Sequence, residues 1–434
     1  MPVFPPRRFT PILISKISEK YMKNITLEAK TFPFKRFIVF TGWAETLSRA
    51  AEIAEELKLA VYVVGGPVRD FFLEKPVKDL DLVVEGEAEE YARALSRALS
   101  GEIKARSPFL TYKIVFPGGE LDLVTARKEV YPRPAALPKV SPGSISEDLY
   151  RRDFTINAMA VGLSGPFKEK LLDPFGGLFD LESGLIRVLH MNSFVDDPTR
   201  IFRAARYAVR FEFDLAKETI GALGRAWTQD ALNLLTSARI RGELLRVLSE
   251  RAPERVILCL ESLGVLQALG LPEPPAFLEK SLKIMNEKTS AKVLLKGLIL
   301  SLTRAEAALS QKLGLSEKEA LEFQGEWLKL QELLPNILAA TKPSQRFRLL
   351  SGFSLPVLIA TASVEKDFGE RLKEFLALKE VKPHLTGEDL KVLGIPPGPQ
   401  MRKILQNLLY ARLDGKVSSR EEELALVGRL LKKC

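Results

Sequence analysis

Apolar positions recur along this chain with two periods, and the change from one to the other divides it. "WAETLSRAAEIAEELKLA" (43–60) spaces its apolar residues as a helix does and runs into "VYVVGG" (61–66), a short apolar strand closed by two glycines. "PVRDFFLE" (67–74) predicts a short helix and "DLDLVVEG" (79–86) a strand. "EAEEYARALSRALSG" (87–101) is helical, and "YKIVF", "ELDLVTA" and "FTINAMAVGL" are further strand candidates. Residues 45 to about 170 therefore read as a small α/β unit with a mixed or antiparallel sheet. From about 184 the pattern is helical, through "DPTRIFRAARYAVRFEF", "LLTSARIRGELLRVLSE", "APERVILCLESLGVLQALG" and "LPNILAATKPSQRFRLL". The last segment, "LTGEDLKVLGIPPGPQMRKILQNLLYARLDG" (385–415), holds a Pro/Gly turn and a helix. Residues 1–44, with their prolines, lysines and the run "RFIVF", receive no role.

One feature breaks the apolar pattern. Asp79 and Asp81 stand at i and i+2, so on a strand they share a face, while Leu80 and Leu82 take the other. Adjacent carboxylates repel, and burying them unpaired is costly. A hard cation between them removes the difficulty, which is the logic of two-metal phosphoryl transfer; a solvated edge-strand pair is the other reading. Context favours the first. Gly65 and Gly66 before a helix offer backbone N–H groups suited to phosphate, Arg69 follows within reach of phosphate or ribose, and Asp122 supplies a third carboxylate from its own strand.

Composition narrows the chemistry. The two cysteines, Cys259 and Cys434, make neither a disulfide scaffold nor a cysteine metal site and fit a reducing, cytoplasmic setting. With only His190 and His384, a histidine-metal cluster is excluded, so any divalent ion must sit on carboxylates, pointing to Mg2+. No stretch approaches about 20 uninterrupted apolar residues, and the proline-broken start lacks a signal-peptide core, so no membrane association is expected. The formal charge of +9 fits either plain solubility or a polyanionic partner.

"GGPVRD" followed by "DLDLVV" resembles the first motif of the class II tRNA nucleotidyltransferases, a family that also contains the bacterial poly(A) polymerases. The resemblance implies a polymerase-β-like nucleotidyltransferase α/β head followed by an all-helical neck, body and tail. It also implies that the paired aspartates Asp79 and Asp81 hold two catalytic Mg2+ ions, with Asp122 the candidate third catalytic acid. "EDLYRRDFTINAMA" (147–160) is similar to the second family signature, in which Arg152 and Asp153 would contact the sugar. A carboxylate accepting from a 2′-hydroxyl favours ribose, because deoxyribose leaves it unpaired. "LLDPFGGLFDLESGLIRVL" (171–189) looks like the head–neck hinge, with Asp173, Gly176, Gly177 and Asp180 in its turn.

"SFVDDPTRIFRAARYAVRF" (193–211) resembles the nucleobase-reading motif, usually Glu-Asp-x-x-Arg and here Asp196–Asp197. Carried over, Asp197 and Arg200 read the Watson–Crick edge of CTP or ATP, with Asp197 accepting from an amino group that C and A carry and U lacks. The other reading is a capped helix start, with Asp197 at or near the N-cap, Pro198 in the first turn and Arg200 on the surface; the two are compatible if Asp196 takes the capping role. Arg203 and Arg206 continue the stripe, either towards triphosphate or RNA backbone or as a solvated basic face. Arg239, Arg241 and Glu243 in "SARIRGELLRVL" would brace the reading helix. Arg402 and Lys403, after "PPGP", would meet tRNA phosphate.

The expected organisation is an N-terminal extension (1–44), a catalytic head (45–183), a neck with the base-reading motif (184–255), a helical body (256–330) and a tRNA-binding tail (331–434). The expected partners are the tRNA acceptor arm and elbow, and the protein is expected to act as a monomer. Addition of C and/or A to the tRNA 3′ end is the implied activity. A CC-adding or A-adding specialist is the alternative, and a bacterial poly(A) polymerase comes after it, because "KARSPFLTYKIVFPGGELDL" (104–123) lacks the basic Gly-Arg-Arg-Phe-type element of those enzymes.

Overall fold

The computed structural model describes residues 27, 29–106, 111–284 and 289–431. The chain divides into two compact units between Leu235 and Thr236.

The first unit is built on an eight-stranded sheet. Its strands are β1 (Ala29–Thr31), β2 (Ala60–Val64), β3 (Leu80–Glu85), β4 (Glu102–Arg106), β5 (Thr111–Phe116), β6 (Gly119–Thr125), β9 (Ala160–Gly162) and β10 (Lys170–Leu172), in the spatial order β1-β10-β9-β2-β3-β6-β5-β4. Between β6 and β9 in the chain, β7 (Arg127–Val130) and β8 (Lys139–Pro142) form a separate antiparallel ribbon. All neighbours in the large sheet are antiparallel except β3 and β6, which run parallel with Asp81 opposite Asp122. Central strands flanked on both faces are apolar on both, so Val61, Tyr62, Val63 and Val64 are all buried.

Three helices frame the sheet's first half: α1 (Phe34–Thr41), α2 (Ala44–Glu56) and α3 (Gly66–Phe72). Residues 29–41, grouped by sequence with an extension of no assigned role, are part of this unit. β1 adds to the sheet edge beside β10, and Phe32 and Phe37 join Phe71 in edge-to-face contacts with centroids 5.2 to 5.5 Å apart. Such pairs contribute about 0.5–1.5 kcal/mol each beyond burial. They buttress α3, the helix that carries Arg69. Residues 1–26 lie outside the described residues.

Four short helices follow: α4 (Ala88–Ala98), α5 (Ile145–Tyr150), α6 (Gly177–Glu182) and α7 (Ser193–Asp196). "FTINAMAVGL", expected as one strand, instead makes a 3-10 turn at Thr155–Asn157 before β9. The polar side chains of Thr155 and Asn157 bond Asp180 and Asp153, and this holds the backbone out of the ladder. Then come α8 (Thr199–Phe211) and α9 (Lys217–Thr228). α8 belongs with the head because Tyr207 and Phe211 pack under the Arg69 guanidinium, 5.7 and 4.9 Å from their ring centroids.

The second unit is helical throughout its described residues. "SARIRGELLRVL" opens it as the helix Ser237–Leu248, so the stretch 184–255, read as one neck, is shared between the units. Leu355–Val364 is apolar all round because it is buried all round, and Gly297 admits it closely: a Cβ there would lie 2.9 Å from Ile359. Near the C-terminus, fully buried Glu423 accepts from the backbone N–H groups of His384 and Leu385 and pairs with Arg412 at 3.2 Å. No single helix among the described residues is long and apolar enough to cross a membrane.

Candidate functional site

The carboxylates stand at one edge of the β3–β6 pair. Leu80 and Leu82 are buried, Asp79 is exposed just before β3, and Asp81 is partly buried. The parallel register brings Asp122 opposite Asp81. Asp122 Oδ1 is shielded from solvent and accepts no hydrogen bond, although Lys113 Nζ lies 3.5 Å away. Burial raises the Asp81 carboxyl above its usual range, Arg152 opposes the rise, and the charges of Asp122 and Asp79 add to it. Carboxylates gathered at one end of two paired strands, one of them with an oxygen that accepts no hydrogen bond, offer hard oxygen donors suited to a divalent cation. Among the described residues no three metal-ligating side chains close into a cluster, so Asp122 stands beside the Asp79–Asp81 pair instead of completing a cage with it.

Opposite lies the glycine turn. Gly65 has φ of +69°, which favours glycine, and a Cβ on it would fall 2.6 Å from Arg152 Nη1, so a larger residue would push that guanidinium aside. Gly66 is the first residue of α3 and has ordinary space around it. Arg152 is thereby seated over the turn, with Nη2 donating to Asp148 Oδ2 at 2.9 Å. Asp148 is fully buried; burial would raise its carboxyl, but Arg151 and Arg152 hold it below the usual range.

Asp153 is the most constrained acid. Its Oδ1 accepts from Phe154 N and Asn157 Nδ2, each at 2.9 Å, and its Oδ2 from Arg203 Nε at 2.6 Å. Burial alone would raise it; the Arg203 guanidinium, the Asn157 amide and the Arg200 charge bring it to about 2. Arg69, placed by the sequence within reach of phosphate or ribose, is 7% exposed and bonded to Asp70 and Asn157. Arg206 is buried and Arg203 pairs with Asp153, so neither extends a solvated basic face.

At the base-reading motif Asp197, one residue before the Pro198 that opens α8, takes the capping part: its Oδ1 accepts from Thr199 N at 3.1 Å and Thr199 Oγ1 at 2.6 Å. Arg200 is 5% exposed, with Nη1 on Ser193 Oγ at 2.8 Å and Nη2 on the Arg151 carbonyl at 2.7 Å. Tyr131, on the β7–β8 ribbon, lies 3.5 Å from Nη2 through its hydroxyl and bonds Glu129. Asp148, Asn157, Tyr131, Glu129 and Ser193 were missed from sequence. Asp148 had a signal, since D-x-x-R-R sets it at i+3 and i+4 from two arginines.

Asp196 is pushed up to about 6 by burial, against Arg200 and Arg225, with the Asp197 charge adding to the rise. His190, 3.9 Å away, is lowered to about 3 by burial and Arg200, so the two form no salt bridge at neutral pH. An acid raised in the fold favours folding while protonated, so stability falls as pH rises from about 4 through 6. Asp196→Asn is therefore expected to raise Tm at pH 8, by up to about 3 kcal/mol of stability, and to leave it unchanged at pH 4. Thermal melts at the two pH values check this.

Arg239, Arg241 and Glu243 fall in the second unit, where Glu243 pairs with Arg246 and Arg241 reaches the Gly314 carbonyl. Arg402 and Lys403 are exposed on the helix Pro399–Leu413.

The poly A polymerase head domain profile matches residues 61–187. An A-adding tRNA nucleotidyltransferase of Geobacter sulfurreducens is 33% identical over 87% of this chain, and the chain spans only 46% of that protein's length. The A-adding enzyme of Halalkalibacterium halodurans is 32% identical over 88% of this chain and 91% of its own. The CC-adding enzyme of Deinococcus radiodurans is 33% identical over the same shares, 88% and 91%. Among solved structures, the Thermotoga maritima CCA-adding enzyme complexed with tRNA superposes with a TM-score of 0.72 at 28% identity, covering 92% of this chain and 98% of that one.

Proposed function

The chain belongs to the tRNA nucleotidyltransferase family, and from that premise we propose that it adds C and/or A nucleotides from CTP and ATP to the tRNA 3′ end without a nucleic-acid template. The observation that supports this most is the acid edge of Asp79, Asp81 and Asp122 facing Gly65 and Arg152, with Asp153 and Arg200 gathered in the same unit.

Asp79 and Asp81 would hold the divalent cations, taken as two Mg2+, with Asp122 beside them. When bound, such ions lower the proton affinity of the attacking 3′-hydroxyl and neutralise charge on the triphosphate. The chain's own residues do the rest. Arg152, fixed by Asp148 over the glycine turn, supplies positive charge where phosphate oxygens would lie. Asp153, ionised at all ordinary pH values, accepts from the ribose 2′-hydroxyl. Asp197 and Arg200 present an acceptor and donors to the base edge, replacing a template strand. Attack on the α-phosphorus forms the new phosphodiester and releases pyrophosphate. The helical stretches 256–330 and 331–434, with Arg402 and Lys403 in the latter, are assigned to holding the tRNA acceptor arm and elbow. A monomer acting in the cytoplasm fits these substrates.

The test is incorporation, with Mg2+, into three tRNA transcripts: one lacking the terminal CCA, one ending in CC, and one mature. Each receives CTP, ATP or both. Three additions ending in A identify a CCA-adding enzyme. A stop after two C residues identifies a CC-adding one, and activity confined to the CC-ended tRNA with ATP an A-adding one. Long A tails on unrelated RNA would replace this reading with poly(A) synthesis.

A further inference from the structure

The side-chain amide of Asn157 lies between two ionised groups and offers one atom to each. Its Oδ1 accepts from Arg69 Nη1 at 2.6 Å, and its Nδ2 donates to Asp153 Oδ1 at 2.9 Å. A guanidinium only donates and an ionised carboxylate only accepts, so chemistry dictates which way the amide faces. The residue is 6% exposed, and its own backbone is committed too. Asn157 N closes the 3-10 turn onto the Phe154 carbonyl at 3.0 Å, and its carbonyl lies 3.4 Å from Arg152 Nη1.

This amide fixes which oxygen of Asp153 is turned towards the partly exposed Arg203. Oδ1 already accepts two hydrogen bonds, from Phe154 N and from Asn157, which uses both its lone pairs. Oδ2 meets Arg203 through both Nε and Nη2, each at 2.6 Å, and that side chain is about one-third exposed. Both partners of Oδ1 are buried, so a sugar hydroxyl reaches Asp153 at Oδ2, by taking the place of one of the Arg203 contacts. The other end of the link matters equally. Arg69 stands on α3, directly after the glycine turn, and its guanidinium covers Phe211 and Tyr207 of α8. Arg200 and Arg203 lie on that same helix.

We propose that Asn157 is a positioning residue for sugar selection: it ties the Asp153 carboxylate to Arg69, so that Oδ2 is presented to the ribose 2′-hydroxyl in register with the base-reading helix. This rests on the reading of Asp153 as the ribose contact. No other side chain of this size both accepts from a guanidinium and donates to a carboxylate. Aspartate satisfies Arg69 but sets a second carboxylate against Asp153. Serine can donate to Asp153 but is too short to span both partners.

The experiment measures binding of CTP and dCTP, and kcat/KM for their addition to tRNA, in the wild-type chain, Asn157→Asp and Asn157→Ser, with thermal melts alongside. The expected result is a CTP-over-dCTP preference reduced by about tenfold or more in Asn157→Asp, the equivalent of one lost charge-assisted hydrogen bond. The loss should fall on CTP, with dCTP little changed, and Asn157→Ser should lie between. If Asn157→Asp does not fold, Asn157→Ser decides. An equal fall for CTP and dCTP marks a role in folding alone and overturns the proposal, as does a folded variant with the wild-type preference. A wild-type chain without any CTP preference overturns it together with the reading of Asp153. A wild-type chain that prefers CTP in binding yet transfers nothing to tRNA overturns the assigned reaction instead, and the binding ratios of the variants then decide on Asn157.

Discussion

Replacing Asp81 with alanine is expected to lower nucleotide addition by about 10³-fold or more, a barrier increase of about 4 kcal/mol, while tRNA binding is kept. Asp81 is the central acid of the three: it is two residues after Asp79, which stands just before β3, and opposite Asp122 on the next strand. Removing it leaves two carboxylates too few and too far apart in role to bind a cation between them, whereas tRNA would be held through phosphate contacts elsewhere. Single-turnover incorporation and a filter-binding or gel-shift measurement on the same variant separate the two effects. Retention of more than about a tenth of the wild-type rate would return the acid pair to a solvated strand edge. The raised Asp81 carboxyl adds a pH signature. Its proton must leave before a cation binds, so the acid limb of the kcat/KM profile should lie above the range of an ordinary aspartate. Higher Mg2+ should move that limb to lower pH.

Arg200→Ala is expected to act on selection and stability together. The guanidinium is buried, and its bonds to Ser193 Oγ and the Arg151 carbonyl join α8 to the turn before Asp153. Deleting it orphans those acceptors and removes one of the charges that hold Asp153 ionised, at a cost of about 3 kcal/mol. Arg200→Lys keeps a charge but loses the planar fork. For it the expected result is a milder loss of Tm, with discrimination of CTP and ATP against UTP and GTP reduced about 10²-fold. Incorporation of each of the four nucleotides, alongside a melt, is the check. Strict C/A selection in Arg200→Lys would remove Arg200 from base reading and leave it a structural link.

The two predictions differ in how far sequence alone could reach. Asp79 and Asp81 were legible because a strand's period of two is local: two acids flanking a leucine among apolar residues already imply one polar and one buried face. The Asp197–Arg200 spacing was legible for the same reason, as a helix start. Sequence was silent where a side chain's partner is distant. Arg69 was placed within reach of phosphate or ribose, but nothing local showed its partner Asn157, 88 positions away, or its aromatic cover on α8. Which of Asp196 and Asp197 caps the helix was left open by the sequence, because identical neighbouring carboxylates differ only in which one the turn aims at Thr199 N.

The amino-acid sequence by itself determined the alternation of strands and helices in the head, the helical remainder, the paired acids, the glycine turn and the arginine–aspartate motifs. Each of these is written in spacing over a few residues, where backbone geometry alone decides the face a side chain takes. Tertiary structure decided the rest. It set Asp122 opposite Asp81 through a parallel pairing, seated Arg152 over Gly65, brought Phe32 and Phe37 against Phe71, and joined Arg69 to Asp153 through Asn157. These contacts arise only when burial of the whole sheet fixes register, because no local rule specifies which distant donor will satisfy a buried acceptor.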